Sequence, residues 1–273
     1  MSFLKKTREI SSLPYRLMHI SSLPSTNTRL AAMAKEGEKE GLVLWADKQS
    51  RGHGRFDRTF YSPRGSGVYM SVLLRPTFPR DALPLLPALA AQAAAEAAEA
   101  LSGKRVGIKW VNDLYLEEKK IAGILCESGF SKNANNNCQN ELFVVIGIGF
   151  NLYTPPAMPE ALKAKAGGLF QSKKEMRRIL GRRARETFIT ALLARLHHYL
   201  KDMPNATFLE GYRSRSVLID RHVYLHNAAF DTAKMGEGEK VKVLSINERC
   251  ALIVETASGE QRAVDAGEVT LSL

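Results

Sequence analysis

The sequence predicts an α+β fold, a mixed β-sheet packed with helices that carries a small all-β tail. Three observations predict it. Apolar runs of strand length flank an alanine-rich segment of helix length. These elements show no regular strand–helix alternation, which disfavours a doubly wound sheet. After Ser216 only short strand-like runs remain, the pattern of a small barrel or sandwich.

Taken in order, Ser25-Thr26-Asn27 supplies N-cap residues, and 28–36 reads as a short helix ending at Gly37. Leu42 to Ala46 is a buried strand. A glycine- and arginine-rich loop follows from Gln49 to Gly67, then a strand from Val68 to Leu74 closed by Pro76. Residues 85–101 are rich in alanine and form a helix stopped by Ser102-Gly103. Val106, Ile108 and Trp110 alternate with polar or small residues, the period of a half-buried strand. Asn112-Asp113 breaks it, and strands follow at 114–116, 121–126 and 142–148, with an Asn-rich loop at 131–140. Ser172 and Glu175 have capping-box spacing for a helix running towards His198, with Gly181 as a break. The tail strands are expected at 221–226, 240–246, 250–256 and 261–265.

No apolar run reaches the roughly 20 residues of a membrane-spanning helix, and the N-terminus lacks the apolar run of a secretory signal. The three cysteines have no metal-ligand spacing, which fits a reducing cytoplasm. The net charge of +11 is uneven: residues 161–216 hold 13 Lys/Arg against 4 Asp/Glu, a net of +9. This excess is either a solvated helix face or an attractor for something acidic, nucleic acid or protein. An acidic partner recruited there would make it part of the protein's work.

Four segments hold residues suited to chemistry. In Gly52-His53-Gly54-Arg55-Phe56-Asp57-Arg58 the glycines let backbone amides approach an anion, and Arg55 and Arg58 suit carboxylate or phosphate. A mobile surface loop explains the same residues. In Lys109-Trp110-Val111-Asn112-Asp113 a strand ends in a polar pair; Lys109 can neutralise phosphate and Asp113 can hold Mg2+ or orient a partner. An ordinary Asn-Asp turn is the plain alternative. Lys120 opens an apolar strand, Ile121-Ala122-Gly123-Ile124-Leu125, as a lone ammonium facing a cleft, or one that snorkels at a strand edge. Gly147-Ile148-Gly149-Phe150-Asn151 is no dinucleotide fingerprint, and close sheet packing accounts for it equally well.

In this order and spacing the segments resemble those of the biotin–protein ligase family. Gln49 to Arg58 resembles its glycine-arginine adenylate loop, and 109–113 its Lys-Trp-Pro-Asn-Asp motif. Residues 120–125 are similar to its Lys-x-x-Gly-Ile-Leu motif, 147–151 to its Gly-x-Gly-x-Asn strand end, and Ser25-Thr26-Asn27 to its biotin-contacting Ser-Thr-Asn. Ala266-Gly267-Glu268-Val269 resembles the end of its small β domain. Lipoate–protein ligases share the strategy, but the full loop and the Lys-Trp-x-Asn-Asp motif argue against them. The other readings are a basic nucleic-acid-binding protein, for which no reading module is recognisable, and an inactive relative.

The resemblance implies a class II synthetase-like, biotin–lipoate ligase fold over 1–216 and a small SH3-like β-barrel over 217–273 that packs beside the active site. It implies an AMP-forming ligase using biotin, ATP and Mg2+, which makes biotinyl-5′-AMP and passes biotin to a lysine. The acceptor would be a biotin carboxyl carrier protein or domain, as of acetyl-CoA carboxylase. By the same resemblance Ser25, Thr26, Asn27, Gln49, Gly52 and Lys120 serve biotin. Gly52, His53, Gly54, Arg55, Arg58, Phe60, Asn112 and Asn151 serve the nucleotide. Arg55, Lys109, Asp113 and Lys120 are catalytic, with Asp113 at the metal. His53, Asp57 and Val111 depart from the family's Arg, Gly and Pro, which puts loop dynamics and phosphate contacts in question. With the first motif starting at Ser25, a ligase-only member without specific DNA binding is expected, cytoplasmic and either monomer or homodimer. The loop, with Arg51, Arg55, Arg58 and Arg64 repelling one another, is expected to be flexible until an anion binds.

Overall fold

Alternation along the strands builds a sheet with two different faces, and helices cover each. The structure, a computed structural model, describes residues 6–10, 12–131, 141–203, 205–226, 238–265 and 268–271. Eight strands form the main sheet: β1 (Lys6–Glu9), β2 (Arg16–Ile20), β3 (Leu42–Ala46), β4 (Gly67–Leu74), β5 (Gly107–Lys109), β6 (Asp113–Leu116), β7 (Lys119–Ser131) and β8 (Glu141–Asn151). Their order is β1-β2-β3-β4-β8-β7-β6-β5. Only β2 and β3 run parallel; every other neighbouring pair is antiparallel. The mixed sheet is the one the sequence predicts.

Along β8, Phe143 and Val145 join a small core with Leu44, Leu73 and the residues Leu30, Met33 and Ala34 of helix α1 (Thr26–Lys35). The alternate residues Val144, Ile146, Ile148 and Phe150 turn to the larger core on the opposite face. That face is covered by α2 (Leu86–Ser102) and α5 (Ala184–Lys201), with α3 (Glu160–Lys163), α4 (Lys173–Leu180) and α6 (Phe208–Ser214) completing the helices. The alanines of α2 from Ala93 to Ala95 are fully buried, so this helix lies close to its neighbours. Gly103 stops it at φ 71, a left-handed turn that glycine adopts without steric cost. Ser172 caps α4 by accepting from Glu175 N at 3.2 Å, and Glu175 reaches back to Gln171 N at 2.7 Å. Gly181 then ends the helix, so the predicted run towards His198 is two helices.

The tail forms a second, antiparallel sheet of five strands: β9 (His222–His226), β10 (Glu239–Ile246), β11 (Leu252–Glu255), β12 (Gln261–Val264) and β13 (Glu268–Leu271), in the order β12-β11-β10-β9-β13. Its Val223, Val241, Leu252 and Val254 belong to the same core as Phe208 and Tyr212 of α6. Trp110 Nε1 donates to Cys250 O at 2.6 Å, and Arg213 Nε donates to Ile246 O at 2.7 Å. The two sheets are therefore stitched together beside the Lys109–Asp113 segment. Among the described residues no helix is long and apolar enough to cross a membrane. The Asn-rich segment at 132–140 and the pair Ala266-Gly267 lie outside the described residues.

Candidate active site

On the α1 face, the rows that α1 leaves uncovered form the floor of a cleft. Tyr69 and Ser71 of β4, Gly147 and Gly149 of β8, and Gly123 and Leu125 of β7 share this face by strand pairing. The three glycines are needed because site side chains lie directly on them. A Cβ on Gly147 would sit 2.1 Å from Asn27 Oδ1, and one on Gly149 would sit 2.6 Å from the Phe60 ring. A Cβ on Gly123 would touch the Lys120 and Asp113 side chains at 3.3 and 3.4 Å. The cleft encloses about 940 Å³ of empty space, partly open to solvent.

One end is a polar row. Gln49 Oε1 accepts from Thr26 N at 2.7 Å and from Thr26 Oγ1 at 3.1 Å, while its Nε2 donates to Ser62 Oγ at 3.1 Å. The hydroxyl of Ser71, fully buried, donates to Asn27 Oδ1 at 2.6 Å and lies 2.8 Å from Thr26 Oγ1. Asn27 Nδ2 donates to Leu125 O at 3.2 Å and to Glu127 Oε2 at 2.7 Å. Ser25 both lines the cleft and caps α1, accepting from Thr28 N at 3.3 Å. This row is fixed before any ligand arrives, which favours a polar ligand matched to it.

The other end is charged. Lys120 Nζ lies 2.6 Å from Asp113 Oδ2, so the ammonium read from sequence as solitary has a carboxylate partner. Asp113 stands opposite Gly123 in the β6–β7 ladder, which brings the two motifs together. Arg55 Nη1 approaches Asn112 Oδ1 at 3.5 Å, and Asn112 Nδ2 donates to Ile124 O at 2.6 Å. Arg58, Lys109, Gly54 and His53 line the same space. His53 Nε2 lies 3.8 Å from Glu127 Oε2.

The arginine loop carries more backbone structure than its composition suggests. Gly54 N donates to Arg58 O, and Phe60 N to Gly52 O, each at 2.8 Å, which folds the motif into a narrow ladder. Phe56 sits at its tip in the left-handed region, at φ 56 and ψ 38, with the Arg55 guanidinium over its ring at 5.0 Å. A side chain adopts that conformation only at a cost. The four arginines do not converge. Arg64 pairs with Asp47 at 3.0 Å, outside the cleft, and Arg51 is exposed.

Of the predicted residues, Gly52 and Asn151 do not line the cleft. Gly52 supports it from behind, since a Cβ there would meet Ser62 Oγ at 2.7 Å and Gln49 Nε2 at 2.9 Å. Asn151, nearly buried, pairs with Gly67 at the end of β8. Sequence reading missed Ser71, Glu127 and Ser62. A hydroxyl inside an apolar strand was a usable signal for Ser71, because buried polar groups need partners. It also missed Asp47, whose carboxylate binds His19 at 3.0 Å and Arg185 at 2.5 Å besides Arg64. Burial pushes the pKa of Asp47 up, but the hydrogen bonds and charges of His19 and Arg185 outweigh this and hold it below the usual value. Val269, from β13, reaches the cleft wall, as expected of a tail packed beside the site.

Residues 20–151 match the family model described as "Biotin/lipoate A/B protein ligase family", and 232–272 match "Biotin protein ligase C terminal domain". The "Bifunctional ligase/repressor BirA" of Bacillus subtilis is 36% identical over 160 residues, which cover 58% of this chain and 47% of the relative. The chain thus spans about half the length of that curated relative. The "Biotin--[acetyl-CoA-carboxylase] ligase" of Mycobacterium tuberculosis is 28% identical, with 75% of this chain and 72% of the relative covered. Among solved structures, biotin protein ligase from Aquifex aeolicus in complex with biotin and ATP superposes with a TM-score of 0.72 at 27% identity, covering 94% of this chain and 98% of that one. The first of these models spans the elements that build the cleft and the second spans most of the tail sheet, so the chain is similar to biotin protein ligases over both.

Proposed function

We propose that this chain is a biotin–protein ligase. It joins biotin to ATP as biotinyl-5′-AMP and then transfers biotin to a specific lysine of a biotin carboxyl carrier protein or domain. In the first step a biotin carboxylate oxygen bonds to the α-phosphorus and pyrophosphate leaves. In the second the lysine amine bonds to the acyl carbon and AMP leaves. Residues 1–216 form the catalytic unit and 217–273 the unit beside it. A reducing, cytoplasmic setting suits the cysteines, since Cys126 and Cys250 are free thiols.

The observation that carries this reading is the juxtaposition in one cleft of a fixed polar row and a cluster of cations. Ser25, Thr26, Asn27 and Gln49 suit the ureido ring of biotin. Carboxylate and α-phosphate repel each other, so their approach needs preorganised positive charge, which Arg55, Arg58 and Lys120 offer. Asp113 holds Lys120 in place. Lys109, Asn112 and the amides around Gly54 face the nucleotide, and Phe60 packs against it. Support for substrates of this kind comes from the Aquifex aeolicus ligase, whose complex holds biotin and ATP.

Mg2+ fits this site only together with the nucleotide. The described residues include no group of three metal-ligating side chains, and Asp113 is a single carboxylate already paired with Lys120. A lone carboxylate plus phosphates is how Mg2+ is commonly held. There it would neutralise phosphate charge. Mass spectrometry of a carrier domain incubated with the protein, biotin and ATP tests the proposal. One added biotinyl group on a lysine is expected; addition of lipoate in preference, or no addition, contradicts it.

A further inference from the structure

Among the described residues a dense cationic surface lies outside the residues that line the cleft. Lys173, Lys174, Arg177, Arg178, Arg182 and Arg183 are all exposed, along α4 and the turn into α5. The acidic residue among them, Glu175, is turned aside, bonded to Gln171 N at 2.7 Å and 3.7 Å from Lys104. Among the described residues Arg183 has a carboxylate at 3.9 Å, from Glu186, and the other five have none in ion-pair range.

Helix stability does not explain this arrangement. Lys173 and Arg177, and likewise Lys174 and Arg178, are like charges four residues apart, which repel on a helix surface. Lys173 and Lys174 open α4, and Arg182 and Arg183 precede α5. Positive charge at a helix start opposes the helix dipole. Four of the six stand at helix starts, and with Arg177 and Arg178 in the last turn of α4 they make a strip of positive potential.

Its position narrows the partner. Met176 and Leu180 anchor α4 in the core shared with α2 and α5, on the sheet face opposite α1 and the cleft. An acceptor whose lysine enters the cleft would have to reach around the sheet to touch α4, so the geometry favours a different partner for this face. A lipid surface needs an apolar face turned outward, and α4 turns its apolar residues inward except Ile179. The segment has no aromatic residue on which a base could stack. What fits a line of guanidinium and ammonium groups is a line of phosphates.

We infer that α4 and the turn into α5 bind the phosphate backbone of a nucleic acid without regard to base sequence. The test measures binding of a labelled duplex by fluorescence anisotropy, for the intact chain and for a variant carrying R177Q, R178Q, R182Q and R183Q. From about 50 to about 200 mM salt the wild-type affinity should fall by roughly 10³-fold if about six phosphates are engaged. The variant should bind more weakly at low salt, with a log–log salt slope shallower by about 4. Two duplexes of unrelated sequence should bind alike. Biotin-dependent pyrophosphate release should be unchanged and the unfolding midpoint should not fall, separating this surface from the cleft and from folding. If these change, the lysine pair K173Q/K174Q repeats the binding test. Equal binding by wild type and variant, a flat salt dependence, or displacement of the duplex by polyglutamate or anionic vesicles at equal charge would overturn the inference.

Discussion

Arg55 and Arg58 line a cleft on the α1 face of the sheet, whereas Arg185, Arg195 and Arg215 are held on the other face by Asp47, Glu96 and Glu99. Both regions stand out in the sequence for the same reason, clustered arginine. In the loop, Arg55 and Arg58 face a floor whose glycines leave room for the side chains of Asn27, Phe60, Lys120 and Asp113. In the 161–216 stretch, the charge divides again. Arg185, Arg195, Arg213 and Arg215 bind carboxylates or a carbonyl within the molecule, and the lysines and arginines from 173 to 183 face solvent. Charge density therefore says where cations are abundant. Strand parity and helix phase say which of them meet a substrate, which meet the core and which meet neither.

The comparison is broken most severely at Lys120. Lys120→Ala should lower adenylate formation by about 10²–10³, as for loss of one preorganised charge. Its effect on stability should stay near 1 kcal/mol, because a half-exposed ion pair contributes little. Arg185→Gln should do the reverse, lowering stability while leaving biotin-dependent pyrophosphate release within a few fold. Chemical denaturation and pyrophosphate release, run on both variants, check the pair.

Asp47→Asn is next. It removes a carboxylate that ties Arg64 in the loop to Arg185 at the start of α5. A loss of about 2–3 kcal/mol at neutral pH is expected for hydrogen bonds to a charged group. Since the folded-state pKa of Asp47 is lowered, its contribution is complete above the ordinary aspartate value. It fades as pH falls through the lowered one. The stability gap between wild type and variant should therefore narrow in acid; a gap independent of pH would show that the charge is not what matters.

Gly147→Ala sharpens the comparison within the cleft. The new methyl would displace the Asn27 amide, which lies 2.1 Å from its position. Overpacking of this kind costs about 1–3 kcal/mol, and KM for biotin should rise more than KM for ATP. An unchanged biotin KM would place biotin elsewhere. The smallest effect is expected from R182Q/R183Q. These exposed changes should alter stability by less than about 0.5 kcal/mol and leave adenylate formation alone.

Much of this arrangement was legible in the sequence. Leu42–Ala46 reads as a strand from five apolar residues and is one, buried throughout. Ser172 and Gly181 mark the ends of α4 by their capping chemistry. The cleft residues announce themselves because cations and amides are unusual beside glycine at strand ends. What was not legible depends on partners distant in the chain. β1, with the sequence KTRE, has no apolar pattern and is a strand only because β2 pairs with it. Lys120 looked solitary because Asp113, its partner, is brought across by the β6–β7 register. Asp47 gave no signal in the sequence because its partners His19, Arg64 and Arg185 come from three other segments.

The central claim is that the cleft cations drive adenylate formation and the far-face cations do not. Biotin-dependent pyrophosphate release tests it directly, with Lys120→Ala and the four-arginine variant of α4 and its following turn assayed beside the wild type. The account predicts a fall of about 10²–10³ for the first and wild-type release for the second. Comparable release by all three, or a loss confined to the far-face variant, would contradict it.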